Sequence, residues 1–230
     1  VYLMHYLKYI SLVTTLSFYV LVGQNSKDEI WSNENFSGLK FRSIGPAFMS
    51  GRISDIAFHP DNESIWYVTV GSGNVWKTVN SGVTWTPIFD DQNSYSIGCV
   101  TIDPNNPNTV WVGTGENLGG RHFGYGDGLY RSNDGGQSWV NMGLKKSEHI
   151  SEVLIHPENS DVIWVASQGP MWSSGGQRGV YKSNDGGKSW SLVLKSNKWT
   201  GATELKMDPR NPDRLYAVLW QRHRTVAAYM

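Results

Sequence analysis

Ser132-Asn133-Asp134-Gly135-Gly136-Gln137-Ser138-Trp139 returns 51 residues later as Ser183-Asn184-Asp185-Gly186-Gly187-Lys188-Ser189-Trp190. A weaker copy runs from Thr78 to Trp85, with Asn80 in place of the aspartate and Gly82 and Trp85 retained. Short β-rich runs, Gly128-Leu129-Tyr130-Arg131 and Gly179-Val180-Tyr181-Lys182, lead into the two strong copies, so each octet reads as the tip of a hairpin. The chemistry fits a turn. The acid accepts backbone N–H groups of its own loop, glycine takes the positive φ the loop requires, and tryptophan buries a large ring beside the strands. An aspartate that holds its own turn is not free for catalysis. Ser132, Asp134, Gly136 and Trp139, their equivalents Ser183, Asp185, Gly187 and Trp190, and the weaker Asn80, Gly82 and Trp85 are therefore read as structural.

Working outward, a second pattern surrounds the octets. An apolar run ends in His-Pro or Asp-Pro four times, at residues 53–58, 97–102, 150–155 and 202–207, and a polar turn and a second apolar run follow each. Pro60, Pro104, Pro157 and Pro209 recur at intervals of 44, 53 and 52 residues. Four short antiparallel strands per unit at such a period define a propeller blade, and no amphipathic helical pattern competes. The expected fold is an all-β propeller of four-stranded antiparallel blades with blades near residues 52–91, 96–144, 149–195 and 201–230, three complete and the fourth partial. A propeller closes with about four to eight blades, so the chain reads as the N-terminal part of a longer protein.

Ahead of the repeats, Lys8, an apolar stretch over residues 9–22 and the small Gly23 give a signal-peptide pattern at residues 1–23, shorter than a membrane span. Residues 24–51 read as a leader into the first blade, and the protein is expected to be exported. With zero formal net charge, 17% charged residues and no basic stripe, the chain lacks the footprint of a nucleic-acid binder. The single cysteine, Cys99, sits in an apolar run and forms no internal disulfide. No cofactor motif is present: Gly119-Gly120-Arg121 precedes no helix and reads as loop.

Octets of the form Ser-x-Asp-x-Gly-x-x-Trp on tandem blades resemble the Asp-box (BNR) propellers: sialidases, xyloglucanase-type glycoside hydrolases and the sortilin (Vps10) domain. The chain most resembles exported bacterial proteins with a sortilin-like N-terminal propeller, often labelled glycosyl hydrolases, over residues 40–230. The xyloglucanase resemblance implies a catalytic aspartate just after the second strand of the first blade. Here that segment reads Thr69-Val70-Gly71-Ser72-Gly73, without a carboxylate. The arginine triad and Tyr/Glu pair of the sialidases have no counterpart.

Topology then points to one face. In a four-stranded blade the second-to-third turns and the between-blade connections share an end, and here these segments are long and dissimilar: residues 115–127 and 168–178, with connections 90–96, 144–149 and 195–201. Inserted length costs ordering entropy and is expected to serve contact rather than core. Arg121, His122, Phe123, Tyr125, Trp172 and Arg178 are the expected ligand-binding residues, the rings for stacking and the arginines for carboxylates. Glu116 and Asp127 are the candidate catalytic carboxylates. His122, His149 and His223 lack short ligand spacing, so no metal site is expected. Four residues before each His-Pro or Asp-Pro histidine or aspartate stand Asp55, Cys99, Glu152 and Glu204, placing carboxylates of three blades near the central channel.

Two functions remain open. The first is an exported binding propeller that takes a peptide, protein or carbohydrate ligand on its upper face. The second is a glycoside hydrolase whose carboxylates lie partly in further blades, which are themselves expected partners of these.

Overall fold

The computed structural model describes residues 51–117 and 124–225, together with Gly38. Residues 50–230 form one compact unit. The signal-peptide reading and nearly all of the leader lie outside the described residues, as do Arg121, His122 and Phe123.

The alternating and continuous apolar runs become fourteen described strands. Blade one is β1 (Ile53–Phe58), β2 (Trp66–Val70), β3 (Asn74–Thr78) and β4 (Thr86–Pro87). Blade two is β5 (Ile97–Asp103), β6 (Asn106–Thr114), β7 (Leu129–Ser132) and β8 (Val140–Asn141). Blade three is β9 (Ile150–His156), β10 (Asn159–Ser167), β11 (Gly179–Ser183) and β12 (Ser191–Leu194), and β13 (Thr200–Asp208) with β14 (Asn211–Gln221) begins a fourth. Each sheet is an antiparallel meander in sequence order. The protein is an all-β propeller of four-stranded blades, three complete and one partial. Among the described residues no helix is long and apolar enough to cross a membrane.

Core lies between blades rather than within them. Val110 and Val112 of β6 face the seam with blade one beside Tyr67, Val75 and Phe89, while Trp111 between them faces the seam with blade three beside Ile150, Val153 and Ile163. Side chains of one strand alternate in direction, so a strand buried on both faces must read as an unbroken apolar run. A third seam joins Trp164, Ala166 and Val180 to Ala202 and Leu205 of β13.

The octets are hairpin tips that also lock those seams. Asp134 Oδ1 accepts the N–H groups of Gln137 and Ser138, each at 2.9 Å, and Oδ2 accepts the Ser138 hydroxyl at 2.6 Å. These donors hold the Asp134 carboxyl far below the usual carboxylate range, and the same set brings Asp185 down to about 2. Gly136 and Gly187 take φ of +94° and +84°, and a Cβ at Gly187 would meet the Trp111 ring at 2.6 Å. The tryptophans then reach backward: Trp139 Nε1 donates to the Ile88 carbonyl at 2.7 Å, and Trp190 Nε1 to that of Met142 at 2.8 Å.

Inner strands β1, β5, β9 and β13 are consecutive neighbours. Each of their pairings carries a register shift, at Ile53/Asp55, Ile97/Cys99, beside Ser151, and at Ala202/Glu204. Such bulges re-aim the residue that follows. Asp55 crosses to blade two, its Oδ2 accepting the Val100 N–H at 3.0 Å, and Glu152 accepts from Lys206 of blade four at 3.1 Å. Cys99 instead joins the core, where burial raises its thiol pKa well above normal.

Candidate functional site

The second-to-third loops and the between-blade connections do share an end, because they bond one another in a repeating register. Gly71, Gly115, Gln168 and Arg222, each the first residue after a second strand, donate their N–H to the carbonyls of Arg52, Ser96, His149 and Trp199. Those acceptors each stand one residue before a first strand. The four pairs form the inner rim of the upper face.

Side chains extend the rim from blade to blade. The guanidinium of Arg52 grips the Glu116 carboxylate through both oxygens, Nη2 to Oε2 at 2.5 Å and Nε to Oε1. Glu116 is 1% exposed, and Gly71 gives it room: a Cβ there would stand 3.0 Å from its Cδ. The Glu116 carbonyl meets His149 Nδ1 at 3.0 Å. Since a carbonyl only accepts, the imidazole proton sits on Nδ1. Complete burial, with Arg222, Arg178 and Arg224 nearby, brings the His149 pKa down to about 3. Gln168 completes the chain, donating Nε2 to the Asn117 carbonyl at 2.8 Å and accepting Arg222 Nη1 at 2.7 Å.

Several sequence expectations change in this setting. Glu116 and Asp127 are each engaged by another side chain: the first is held by Arg52, and Asp127 Oδ2 accepts the Tyr130 hydroxyl at 2.6 Å. Arg178 is turned into the protein. It is 5% exposed, and its five N–H donors go to the carbonyls of Gly175, Gln168, Trp199, Ser173 and Pro170. The loop at residues 168–178 is wound around this side chain; Gly169 stands at φ +73°, and a Cβ there would lie 2.2 Å from Arg178 Cγ. Its Met171 is 1% exposed, so the insertion adds core, contrary to the expectation of a contact loop without burial. Of the histidines weighed as ligands, His149 is buried against a carbonyl and His223 stacks on Trp199 at 3.8 Å. Among the described residues no group of three His, Cys, Asp or Glu side chains is arranged to hold a metal ion.

Arg52 and Gln168 were not singled out in the sequence. Arg52 sits alone before β1, and nothing local announces a partner 64 residues away. The rings fare differently: Tyr125 and Trp172 stand out, 55% and 45% exposed, joined by Tyr95 at 61% from the connection between blades one and two.

The role of Arg178 is testable. Arg178→Lys keeps the charge but offers three donors without the planar fork. It is expected to cost about 2 kcal/mol of stability, by the scale of buried hydrogen bonds to a charged group, and to open residues 168–178 to proteolysis. Unchanged melting and digestion would show that the loop holds itself.

Asp-box turns, seam-spanning tryptophans and a bonded upper rim define a β-propeller of the Asp-box class. Residues 127–230 match the model of the Sortilin-Vps10 family, described as sortilin, neurotensin receptor 3. Xyloglucanase Xgh74A of Acetivibrio thermocellus is 26% identical over 196 residues, covering 69% of this chain and 21% of the relative. The oligoxyloglucan-reducing end-specific xyloglucanase of Emericella nidulans is 19% identical over 175 residues, covering 74% of this chain and 20% of the relative. The chain thus spans about a fifth of the length of the curated relatives it matches. Among solved structures, an ancestral GH74 enzyme superposes with a TM-score of 0.59 at 22% identity, over 73% of this chain and 22% of that one. The GH74 enzyme of Niastella koreensis gives 0.54 at 23% identity, over 70% and 24%. These superpositions share the propeller fold with this chain.

Proposed function

We propose that these blades belong to an exported binding propeller that recognises a peptide, protein or glycan segment through its upper-face loops. One observation carries the reading. Tyr95, Tyr125 and Trp172 expose their rings on a rim where Glu116, Asp127 and Arg178 are already committed to partners within the protein. Large rings that expose an apolar face suit contact with an aliphatic side chain or a sugar ring. The family match over residues 127–230 supports a binding role, and the basic, apolar and small residues of segment 1–23 support export. Residues Arg121, His122 and Phe123 belong to the same proposed surface.

A second reading, glycoside hydrolysis, is favoured by the xyloglucanase names of the curated relatives. It requires carboxylates beyond the two already engaged on this rim.

Both readings are tested by titrating the protein and a Tyr125→Ala, Trp172→Ala double variant with xyloglucan oligosaccharides and with a peptide library, while reducing ends are assayed. The expected result is capture by the protein and about tenfold weaker capture by the variant, with stability within about 1 kcal/mol, since the two rings are exposed. Equal capture by both proteins would rule out this surface. Accumulation of reducing ends would replace binding with hydrolysis.

A further inference from the structure

A cavity of about 380 Å³ lies between the last two strands of blade one and the octet of blade two, a volume at the low end of the roughly 300–1,000 Å³ of small-molecule sites. Tyr95, Tyr125 and Trp172 are not among its lining residues, so it stands apart from the rings of the surface proposed above. Pro87, Ile88 and Trp139 give it an apolar wall. Lys77 also lines it, with Nζ 2.8 Å from the Gly135 carbonyl and 5.2 Å from the centre of the Tyr67 ring. The carbonyl takes one of the three ammonium donors. Burial lowers the Lys77 pKa against the pull of the Asp134 charge, the mark of an ammonium short of water. Two acids complete the lining. Asp90 Oδ1 accepts Asn74 Nδ2 at 2.9 Å, whereas Asp90 Oδ2 and both oxygens of Asp91 accept no bond from a described residue.

The fold does not call for these acids. Phe89 and Leu144 are the buried residues that follow the last strands of blades one and two; Asp90-Asp91-Gln92 comes after the first and Lys145-Lys146-Ser147 after the second. Both seams are nonetheless closed by the same tryptophan N–H, from Trp139 to Ile88 and from Trp190 to Met142. The carboxylates are thus particular to this cavity and are not part of the blade repeat.

Charge narrows the occupant. An anion here would meet Asp90 and Asp91, and a cation would meet Lys77. A neutral molecule with hydroxyl groups on a C–H framework meets neither repulsion, because each hydroxyl both donates and accepts. We propose that this cavity binds a single neutral sugar ring, with its C–H face against Pro87, Ile88 and Trp139, its oxygens accepting from Lys77 and its hydroxyls donating to Asp90 Oδ2 and Asp91. The Gln92 and Gln137 amides, which also line the cavity, offer a donor and an acceptor each to the remaining hydroxyls.

The probes are D-glucose, D-xylose and D-galactose, added singly to the full chain while the Trp139 indole and Gln92 amide signals are followed by nuclear magnetic resonance. The expected result is a saturable displacement of both signals by at least one sugar, with a Kd of roughly 1 to 10 mM, the range of a small neutral ligand with few contacts. Asp91→Ala, at an exposed position that bonds no described residue, should weaken that sugar about tenfold, and Lys77→Met, which keeps the stem over Tyr67, should do the same. The Tyr125→Ala, Trp172→Ala double variant should bind it unchanged, which separates this cavity from the upper-face rings. The proposal is overturned if none of the three sugars gives a saturable displacement up to about 100 mM, or if Asp91→Ala binds as tightly as the unaltered protein. Loss of the sugar in the ring double variant would overturn it as well, as would tighter binding of glycine at the same signals, which would give the cavity to a zwitterion.

Discussion

Trp139→Ala is expected to lower stability by roughly 3 kcal/mol, the scale of a large ring lost from packed surroundings, and to drop the melting temperature by about 10 °C for a unit of this size. The ring packs edge-on against Phe89 at 5.1 Å in the seam core, and its N–H is bonded to blade one. Trp139→Phe keeps most of the apolar contact and loses the bond, so it should cost about 1 kcal/mol. Trp85→Ala provides the internal control. Trp85 holds the same place in the first octet but is 38% exposed and touches another described ring only at Trp66, 6.2 Å away. Its loss should cost less than about 1 kcal/mol, as for exposed positions. Equal losses at Trp139 and Trp85, measured by thermal and urea unfolding, would mean that the octet tryptophan serves its own hairpin and not the seam.

The same contrast shows what the sequence made legible. A repeated octet, a recurring proline and a period near 50 residues are local signals, and they specify strand, turn and blade because each blade repeats the same backbone solution. The roles of Asp134 and Asp185 followed from turn chemistry within five residues. The destination of the tryptophan N–H did not, because Ile88 lies 51 residues before Trp139 and its carbonyl is made available by backbone geometry, not by residue type. Ser81 is another case: it takes φ of +56° where the other two octets place Gly135 and Gly186, so a costly backbone state is tolerated in the weaker copy.

The upper rim was legible as a place but not as a set of partners. Loop length located it, yet composition could not separate Arg178, wrapped by five carbonyls, from an arginine free to meet a ligand. Only the fold decides whether a charged side chain on an inserted loop turns inward. Tyr125 and Trp172 have the expected exposure, 55% and 45%.

The rim should also give the protein a titration signature in mild acid. His149 is fully buried and neutral, with a pKa near 3 against 6.5 for a free imidazole. The folded state therefore binds its proton far less readily than the unfolded state, and stability contributed by this site falls as pH drops below about 6.5 and continues to fall until about 3. One proton changes stability by at most about 1.4 kcal/mol per pH unit, so roughly 2 kcal/mol should be lost between pH 7 and pH 5. Other groups act in neighbouring or overlapping ranges. Asp55, Glu148 and Glu152 have carboxyl pKa values raised chiefly by burial, which favours the folded state as they take up protons. Asp134 and Asp185 are depressed by their turn donors, so their contribution is lost only below about pH 4. Comparison with His149→Gln removes these shared terms, because glutamine cannot take up a charge. The difference in unfolding free energy between the protein and the variant should shrink by about 2 kcal/mol from pH 7 to pH 5. A difference that stays flat across that interval would mean that His149 is solvated in solution and that the bonded rim joining Arg52, Glu116, His149, Gln168 and Arg222 does not form as drawn.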